Sequence, residues 1–450
     1  MTRQWLSAVL TLAVIGLVRQ SEAAEPAPPD ARAASAAQFV QNIVTAKYAD
    51  AASCFDTAMA QAMSPERLKQ MSSSLIQQCG AFRETGETRS AQEAGFQVVF
   101  VACKFEKQTL DAEVVFDKDG KIGGLWFGPH IESRQSQYST PDYVRPNLFD
   151  EREVTVGAGE WKLPATLALP KGEGPFPALV LVHGSGPNDR DETIGANKPF
   201  RDLALGLASR GIAVLRYDKR TKVYAAQMAA SKDTLTVKQE VLDDAMTAVA
   251  LLRNTPKIAP TRIFVLGHSL GGTLIPRIGK LDEHLAGLIV MAGTTRPLED
   301  VILEQTEYLS SLNGAPSVET QKYLAEIQRQ VAAVKSLALS ADTPASTLLF
   351  GAPPSYWLDL RGYAPAELAK TLSQPLLILQ GGRDYQATKA DYEGWAKSLA
   401  DRPRVTFKLY PDLDHLFMEG TGKSTPAEYD KREPVARKVI DDIAAWIATQ

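Results

Sequence analysis

Gly267-His268-Ser269-Leu270-Gly271 is the segment that most constrains what this chain can fold into. Arg262-Ile263-Phe264-Val265-Leu266 ahead of it is an apolar, β-branched run of the kind that forms a buried strand, and Gly272-Thr273-Leu274-Ile275 behind it can open a helix. A strand that turns straight into a helix through one serine needs glycine two residues before and two after, because a side chain there collides with the turn. Such a turn holds the serine Oγ at the rim of a sheet. If Ser269 is a nucleophile, the rest of the chain must supply a base, an acid to orient it and donors for developing negative charge.

The chain has five histidines. His183 and His268 belong to candidate site motifs, His130 falls in a polar stretch and His284 in Asp282-Glu283-His284, a solvated turn. His415 is the candidate base. It follows the apparent strand Val405 to Tyr410 and so occupies a loop at a strand end, where the catalytic loops of open α/β sheets lie. Pro375 to Gln380 forms another parallel-type strand, and Gly381-Gly382-Arg383-Asp384 turns off its end, bringing Asp384 to the same rim. Asp412 and Asp414 are rival acids, although a carboxylate one to three residues from a histidine seldom points at that ring's Nδ1. The order serine, aspartate, histidine is that of the α/β-hydrolase arrangement.

Two backbone donors are expected. The amide of Leu270 follows the nucleophile, and a second comes from the loop after an earlier strand, Ala178 to Val182, which leads into His183-Gly184-Ser185-Gly186-Pro187. Ser185 N–H is the first choice and Gly186 N–H the alternative. His183 is expected to brace this loop rather than to titrate.

The run His183 to Pro187 is followed by Asp189-Arg190-Asp191-Glu192, Asn197 to Ala204 and Arg216-Tyr217-Asp218-Lys219-Arg220. Gly267 to Gly272, Tyr356-Trp357-Leu358-Asp359-Leu360, Gly381 to Asp384 and His415 come after it in order. Together they resemble bacterial α/β-hydrolases of the EstD carboxylesterase type over about residues 150 to 450. The resemblance implies an α/β-hydrolase fold, a mostly parallel sheet with helices on both faces and a helical cap insert. It implies Ser269, Asp384 and His415 as nucleophile, acid and base, and a preference for short acyl esters.

At 450 residues and 44% hydrophobic content the chain can bury a large core and is long enough for two or three domains. A net charge of −4 without a concentrated basic face argues against a nucleic-acid partner. No Cys/His cluster has zinc spacing, so neither metal nor cofactor is expected. Arg3, the thirteen-residue apolar run Leu6 to Val18 and Ser21-Glu22-Ala23 form a signal-peptide pattern, residues 1–23, too short to span a bilayer. Export to the periplasm or beyond, without stable membrane insertion after cleavage, is the expectation; an uncleaved anchor is the alternative.

Residues 24–34 form an Ala/Pro segment expected to be flexible, before a small α+β module at 35–127. Helices are expected at Ala36 to Tyr48 and Pro65 to Gln77, and strands at Phe96 to Val101, Leu110 to Phe116 and Ile122 to Phe127. The module resembles a poorly characterised domain found ahead of such hydrolases, of the cone-like nuclear-transport-factor type. It carries no catalytic constellation and is expected to be accessory, or a site of homo-oligomer assembly. All three cysteines, Cys54, Cys79 and Cys103, lie in it. A hairpin centred near residue 91 would pair Cys79 with Cys103 in an oxidising compartment, with Cys54 able to replace either. Residues 128–150, polar and Pro-containing, are expected to be a linker.

In the hydrolase part, residues 151–450, Thr236 to Asn254 is expected to be a helix. Thr236 and Gln239 form its capping box, and Val237, Val241, Ala245, Ala248 and Leu252 its buried stripe. About eighty residues separate the strand Leu285 to Ala292 from that at Pro375, too many for a plain connection. Helices at Leu298 to Ser310 and Val318 to Leu339 make this a cap, about 295–372, with Tyr356, Trp357 and Leu358 either walling an acyl pocket or packing cap against core. The expected activity is a serine carboxylesterase acting on small esters. A peptidase or thioesterase on the same fold is the enzyme alternative, and a non-catalytic binding protein the remote one.

Overall fold

The computed structural model describes residues 29–450 except 94–95, 131–137, 231–233 and 313, so the expected signal segment lies outside the described residues. The chain divides after Gln137 into two compact units.

The first unit carries helices Pro29–Val44, Tyr48–Ala52, Thr57–Ala62 and Pro65–Cys79, then an antiparallel meander β1 (Phe82–Glu93), β2 (Phe96–Phe105), β3 (Thr109–Phe116) and β4 (Ile122–Pro129). Ser64 caps the Pro65–Cys79 helix by accepting from Arg67 N at 3.3 Å, and proline at its start loses no intrahelical hydrogen bond. Residues 29–34, expected to be flexible, already belong to a helix. Arg32 and Ala36 are buried there, and Phe39, Val40 and Ile43 join the core this unit makes with alternate residues of β2 and β3, such as Val99, Val101, Ala112 and Val114.

The expected Cys79–Cys103 bridge is not formed. The two strands pair as far as Glu93 opposite Phe96 rather than about a centre near residue 91, and register shifts in β1 place Thr85 opposite Cys103. Cys79 closes the preceding helix, where its sulfur accepts from Gln108 Nε2 at 2.9 Å, while Cys103 donates to Val101 O at 3.3 Å. Cys54, Cys79 and Cys103 are all free thiols. Burial pushes the Cys103 thiol up to about 12.

The second unit begins at Tyr138, earlier than the linker assignment allowed. Tyr138 donates to Asp202 at 2.8 Å and lies under the guanidinium groups of Arg201 and Arg432; Tyr143 donates to Val435 O at 2.8 Å and is buried with Val144. Aromatic anchors fixed this way make residues 138–150 part of the hydrolase core, not a tether.

Its eight-stranded sheet runs in the order β12-β11-β10-β9-β7-β8-β6-β5. β5 (Phe149–Val156) and β6 (Leu163–Pro170) are antiparallel. β7 (Phe176–Val182), β8 (Ala213–Tyr217), β9 (Ile258–His268), β10 (Gly287–Met291), β11 (Leu376–Gly381) and β12 (Val405–Tyr410) are parallel. The middle strands β7 to β11 are buried through nearly every residue, which continuous Val/Leu/Ile runs permit only with helices on both faces. The expected stripe Val237, Val241, Ala245, Ala248 and Leu252 is buried throughout. A π-helical turn at Lys238–Leu242 interrupts that helix before Asp243–Arg253. Between β10 and β11 lie helices Leu298–Ser311, Val318–Lys335, Pro354–Leu360 and Pro365–Lys370, the expected helical insert.

Candidate active site

The loops after β7, β9, β11 and β12 all leave the carboxyl ends of parallel strands. β7 and β9 are neighbours, with β8 continuing the sheet on one side and β10 on the other, so the loops after these two strands open the crevice where strand order reverses.

Ser269 joins β9 to the helix Leu270–Leu281 with φ 54° and ψ −117°, a strained conformation for a side-chain-bearing residue. Its neighbours show why the strain is tolerated. A Cβ on Gly271 would lie 2.4 Å from Val182 O, and one on Gly267 would lie 2.2 Å from Gly271 O. Ser269 N donates to Met291 O at 2.9 Å, and Ser269 O accepts from Thr273 N at 2.9 Å to start the helix. The amide of Leu270, in the first turn, has no intrahelical acceptor.

His415 and Asp384 meet: His415 Nδ1 lies 2.7 Å from Asp384 Oδ2, and both side chains are buried. Asp384 Oδ1 accepts from Gln386 N at 2.7 Å and Ala387 N at 3.0 Å, and Oδ2 also accepts from Gln380 Nε2 at 3.2 Å. Four hydrogen bonds thus fix the carboxylate and, through it, the ring plane of the histidine. The rival acids are engaged elsewhere. Asp414 folds back on its own loop, accepting from Leu416 N at 2.9 Å and Met418 N at 3.0 Å, and burial pushes its carboxyl up to about 6. Asp412 pairs with Lys438 at the surface.

His268, next to Ser269, stacks obliquely on His415 with ring centroids 4.7 Å apart, and its Nε2 lies 2.9 Å from His415 O. Its Nδ1 lies 2.9 Å from Glu192 Oε2. Burial opposes a charge on His268, but Glu192 and the His415 carbonyl outweigh it and raise its pKa. Glu192, itself buried at φ 50°, accepts from Gly184 N at 2.8 Å.

The Gly184 loop faces the serine, since a Cβ on Gly184 would lie 3.1 Å from Ser269 Cβ. Gly184 O accepts from Lys219 Nζ at 2.8 Å and from Asn188 Nδ2 at 3.2 Å, and Ser185 O accepts from the same Asn188 at 3.0 Å. His183 Nε2 lies 3.0 Å from Asp189 O, and burial, beside Lys219, lowers its pKa to about 4. That histidine braces the loop and stays neutral.

Tyr356 and Trp357 sit on the Pro354–Leu360 helix and are both buried in the main core, with Leu358 packed against it. They bring cap and core together. Asp359 beside them accepts from Arg277 at 3.0 Å and from Val237 N at 3.1 Å, and Tyr363 donates to Thr273 O at 2.8 Å. Neither of two surface concavities is lined by Tyr356, Trp357 or Ser269. One, of about 350 Å³, lies among Glu151, Arg190 and Arg216, and one of about 280 Å³ lies between Tyr308 and the Asp384 loop. Glu192, Lys219 and Glu240 escaped sequence reasoning, although Glu192 and Lys219 lie inside quoted motifs.

A family described as alpha/beta hydrolases matches residues 179–431, and a family of proteins of unknown function, DUF3887, matches residues 36–125. The esterase EstD of Thermotoga maritima is 40% identical over 410 residues, 91% of this chain and 93% of that one. The esterase FrsA of Klebsiella pneumoniae is 28% identical over 148 residues, 33% of this chain and 32% of that protein. Among solved structures, Est1E from Butyrivibrio proteoclasticus aligns with 66% of this chain and 99% of its own at 14% identity and a TM-score of 0.42. On the hydrolase match and the full-length likeness to EstD, the chain belongs to the alpha/beta hydrolase family, on its esterase branch.

Proposed function

We propose that the chain is a serine carboxylesterase with Ser269, His415 and Asp384 as its triad. The observation that carries this reading is the buried His415–Asp384 pair, 2.7 Å apart, at the same sheet rim as the strained Ser269 turn. His415 Nε2 takes the Ser269 hydroxyl proton as Oγ attacks the ester carbonyl, and then gives it to the departing alcohol. Water, activated by the same histidine, resolves the acyl-enzyme. The amides of Leu270 and Ser185, with Gly186 as alternate, hold the oxyanion. A trans peptide points its C=O and N–H opposite ways, so Lys219 and Asn188 on Gly184 O turn Ser185 N–H away from themselves.

Short acyl esters, on the order of two to six carbons, are the proposed substrates, because the helical insert seats on both the nucleophile helix and the acid loop. The first unit is proposed as an accessory or assembly module. The pattern at residues 1–23 supports export with cleavage near Ala23 or Ala24, to be read from the N-terminus of the mature protein. Among the described residues no helix is long and apolar enough to cross a membrane.

The test is labelling by a fluorophosphonate followed by peptide mass spectrometry, with parallel ester, amide and thioester assays across acyl lengths. Modification at Ser269, its loss in Ser269→Ala and fastest turnover of short esters are expected. Failure of the folded protein to label would point to a binding protein on a hydrolase scaffold. Faster amide or thioester cleavage would move the activity to another acyl transfer.

A further inference from the structure

Arg216-Tyr217-Asp218-Lys219-Arg220 closes β8 and runs into the loop after it, and the triad makes no use of it. Lys219 is 2% exposed, and its ammonium makes two contacts: Gly184 O at 2.8 Å and Glu240 Oε1 at 2.5 Å. The amide on the other side of Gly184 donates to buried Glu192 at 2.8 Å. Opposite charges therefore grip one glycine from both sides, at a place where a Cβ would come within 3.1 Å of Ser269 Cβ. A buried charge is costly unless paired and hydrogen-bonded, so an ion pair here, rather than apolar packing, calls for a reason.

Lys219 does not stand alone. Its own backbone N–H donates to Asn188 O at 3.0 Å, and the neighbouring Arg220 pairs with buried Asp244, so the segment after β8 is fixed before it reaches the loop. Glu240 comes from the π-helical turn Lys238–Leu242. A polar chain thus runs from the π-helical turn through Glu240 and Lys219 to the carbonyl of Gly184.

We propose that Lys219 is a positioning residue for the oxyanion donor: by holding Gly184 O it aims the Ser185 N–H of the same peptide at the site, and Glu240 holds Lys219 in place. This deepens the proposed esterase mechanism and rests on Ser185 N–H being a donor. One oxyanion donor is worth about 10²–10³ in kcat, and a donor kept but misaimed should lose on the order of 10–100-fold. The loss should fall on kcat and leave KM nearly unchanged, because the interaction strengthens only as the oxyanion forms.

The experiment uses the full-length protein, circular dichroism to confirm folding, kcat and KM on a short activated ester, and the affinity of a trifluoromethyl ketone, whose adduct with the serine carries an oxyanion. Ser185→Pro deletes the N–H outright. Lys219→Met removes the ammonium, and Lys219→Met with Glu240→Gln removes both buried charges so that neither is left unpaired. Ser185→Pro is expected to lose about 10²–10³ and the Lys219 variants about 10–100 in kcat, with ketone affinity falling in step and KM held within a few-fold. If Ser185→Pro loses rate while the folded Lys219 variants keep wild-type kcat and ketone affinity, the proposal is overturned and the donor assignment stands. If Ser185→Pro keeps its rate, the donor assignment fails and takes this proposal with it.

Discussion

Three aspartates lie near His415 along the chain or in space, and only Asp384 reaches its Nδ1. Asp384→Asn should leave the fold intact and lower kcat on the order of 10⁴-fold by favouring the wrong tautomer, whereas Asp414→Asn should keep most of its turnover. A larger loss in Asp414→Asn would reassign the acid. Asp414 makes a second prediction. Its folded carboxyl is pushed up to about 6, and its Oδ2 is buried without a partner, which suits a protonated acid. A raised carboxyl stabilises the fold fully below its unfolded value near 4, and that contribution is lost as pH rises through about 6. Asp414→Asn keeps an oxygen for Leu416 N and Met418 N and abolishes the titration. Its unfolding free energy should therefore gain on the wild type between about pH 4 and pH 6 and stay ahead above, by at most about 3 kcal/mol, with its melting temperature rising accordingly; parallel pH dependence of the two melting curves would contradict this. The candidate triad was legible because each member ends a strand in a glycine-marked or apolar context. Glu192, Lys219 and Glu240 were not, because buried charges declare themselves only through partners that the chain brings from elsewhere.

Elements were legible in proportion to how much of their burial the local pattern encodes. The continuous apolar runs of β7, β9, β10 and β11 can lie only inside a two-sided sheet, and each was found within a few residues of its ends. Register was harder. A hairpin centre misplaced by a few residues in β1–β2 moved Cys103 opposite Thr85, since pairing depends on bulges that the alternation of side chains does not mark. The helix Pro354–Leu360 shows the remaining ambiguity: aromatics suit a pocket wall and a packed seam equally well until the neighbours are known. Trp357 is 3% exposed in the main core, so Trp357→Ala should cost about 3–5 kcal/mol by leaving a cavity. Because it packs the cap's underside, the acyl-length profile of the folded variant should stay as in the wild type. A shift of the optimum towards longer chains would instead make Trp357 a wall of the acyl site.

At the scale of the whole chain, two cores form separately, one from the helices and meander of the first unit and the other on both faces of the eight-stranded sheet. The groups assigned to chemistry lie between Ser185 and His415, all in the second unit. Composition alone placed the boundary too late, because a polar stretch looks like a tether even when two of its tyrosines are anchored. That error has a measurable consequence. A chain beginning at Tyr138 keeps the Tyr138–Asp202 hydrogen bond and the burial of Tyr143 and Val144, whereas one beginning at Asn147 discards all three. Full burial of a large apolar side chain is worth about 1.5–3 kcal/mol, and Asp202, left to Arg432 and Val435 N, loses one of its buried partners. The Tyr138 chain should melt near the hydrolase transition of the full protein and retain turnover on a small activated ester within a few-fold. The Asn147 chain should melt several degrees lower, with activity falling as its folded fraction falls. Thermal unfolding followed by circular dichroism, with kcat measured on the folded fraction, separates these outcomes. A thousandfold drop in kcat for a folded Tyr138 chain would show that the first unit takes part in the bond-breaking step.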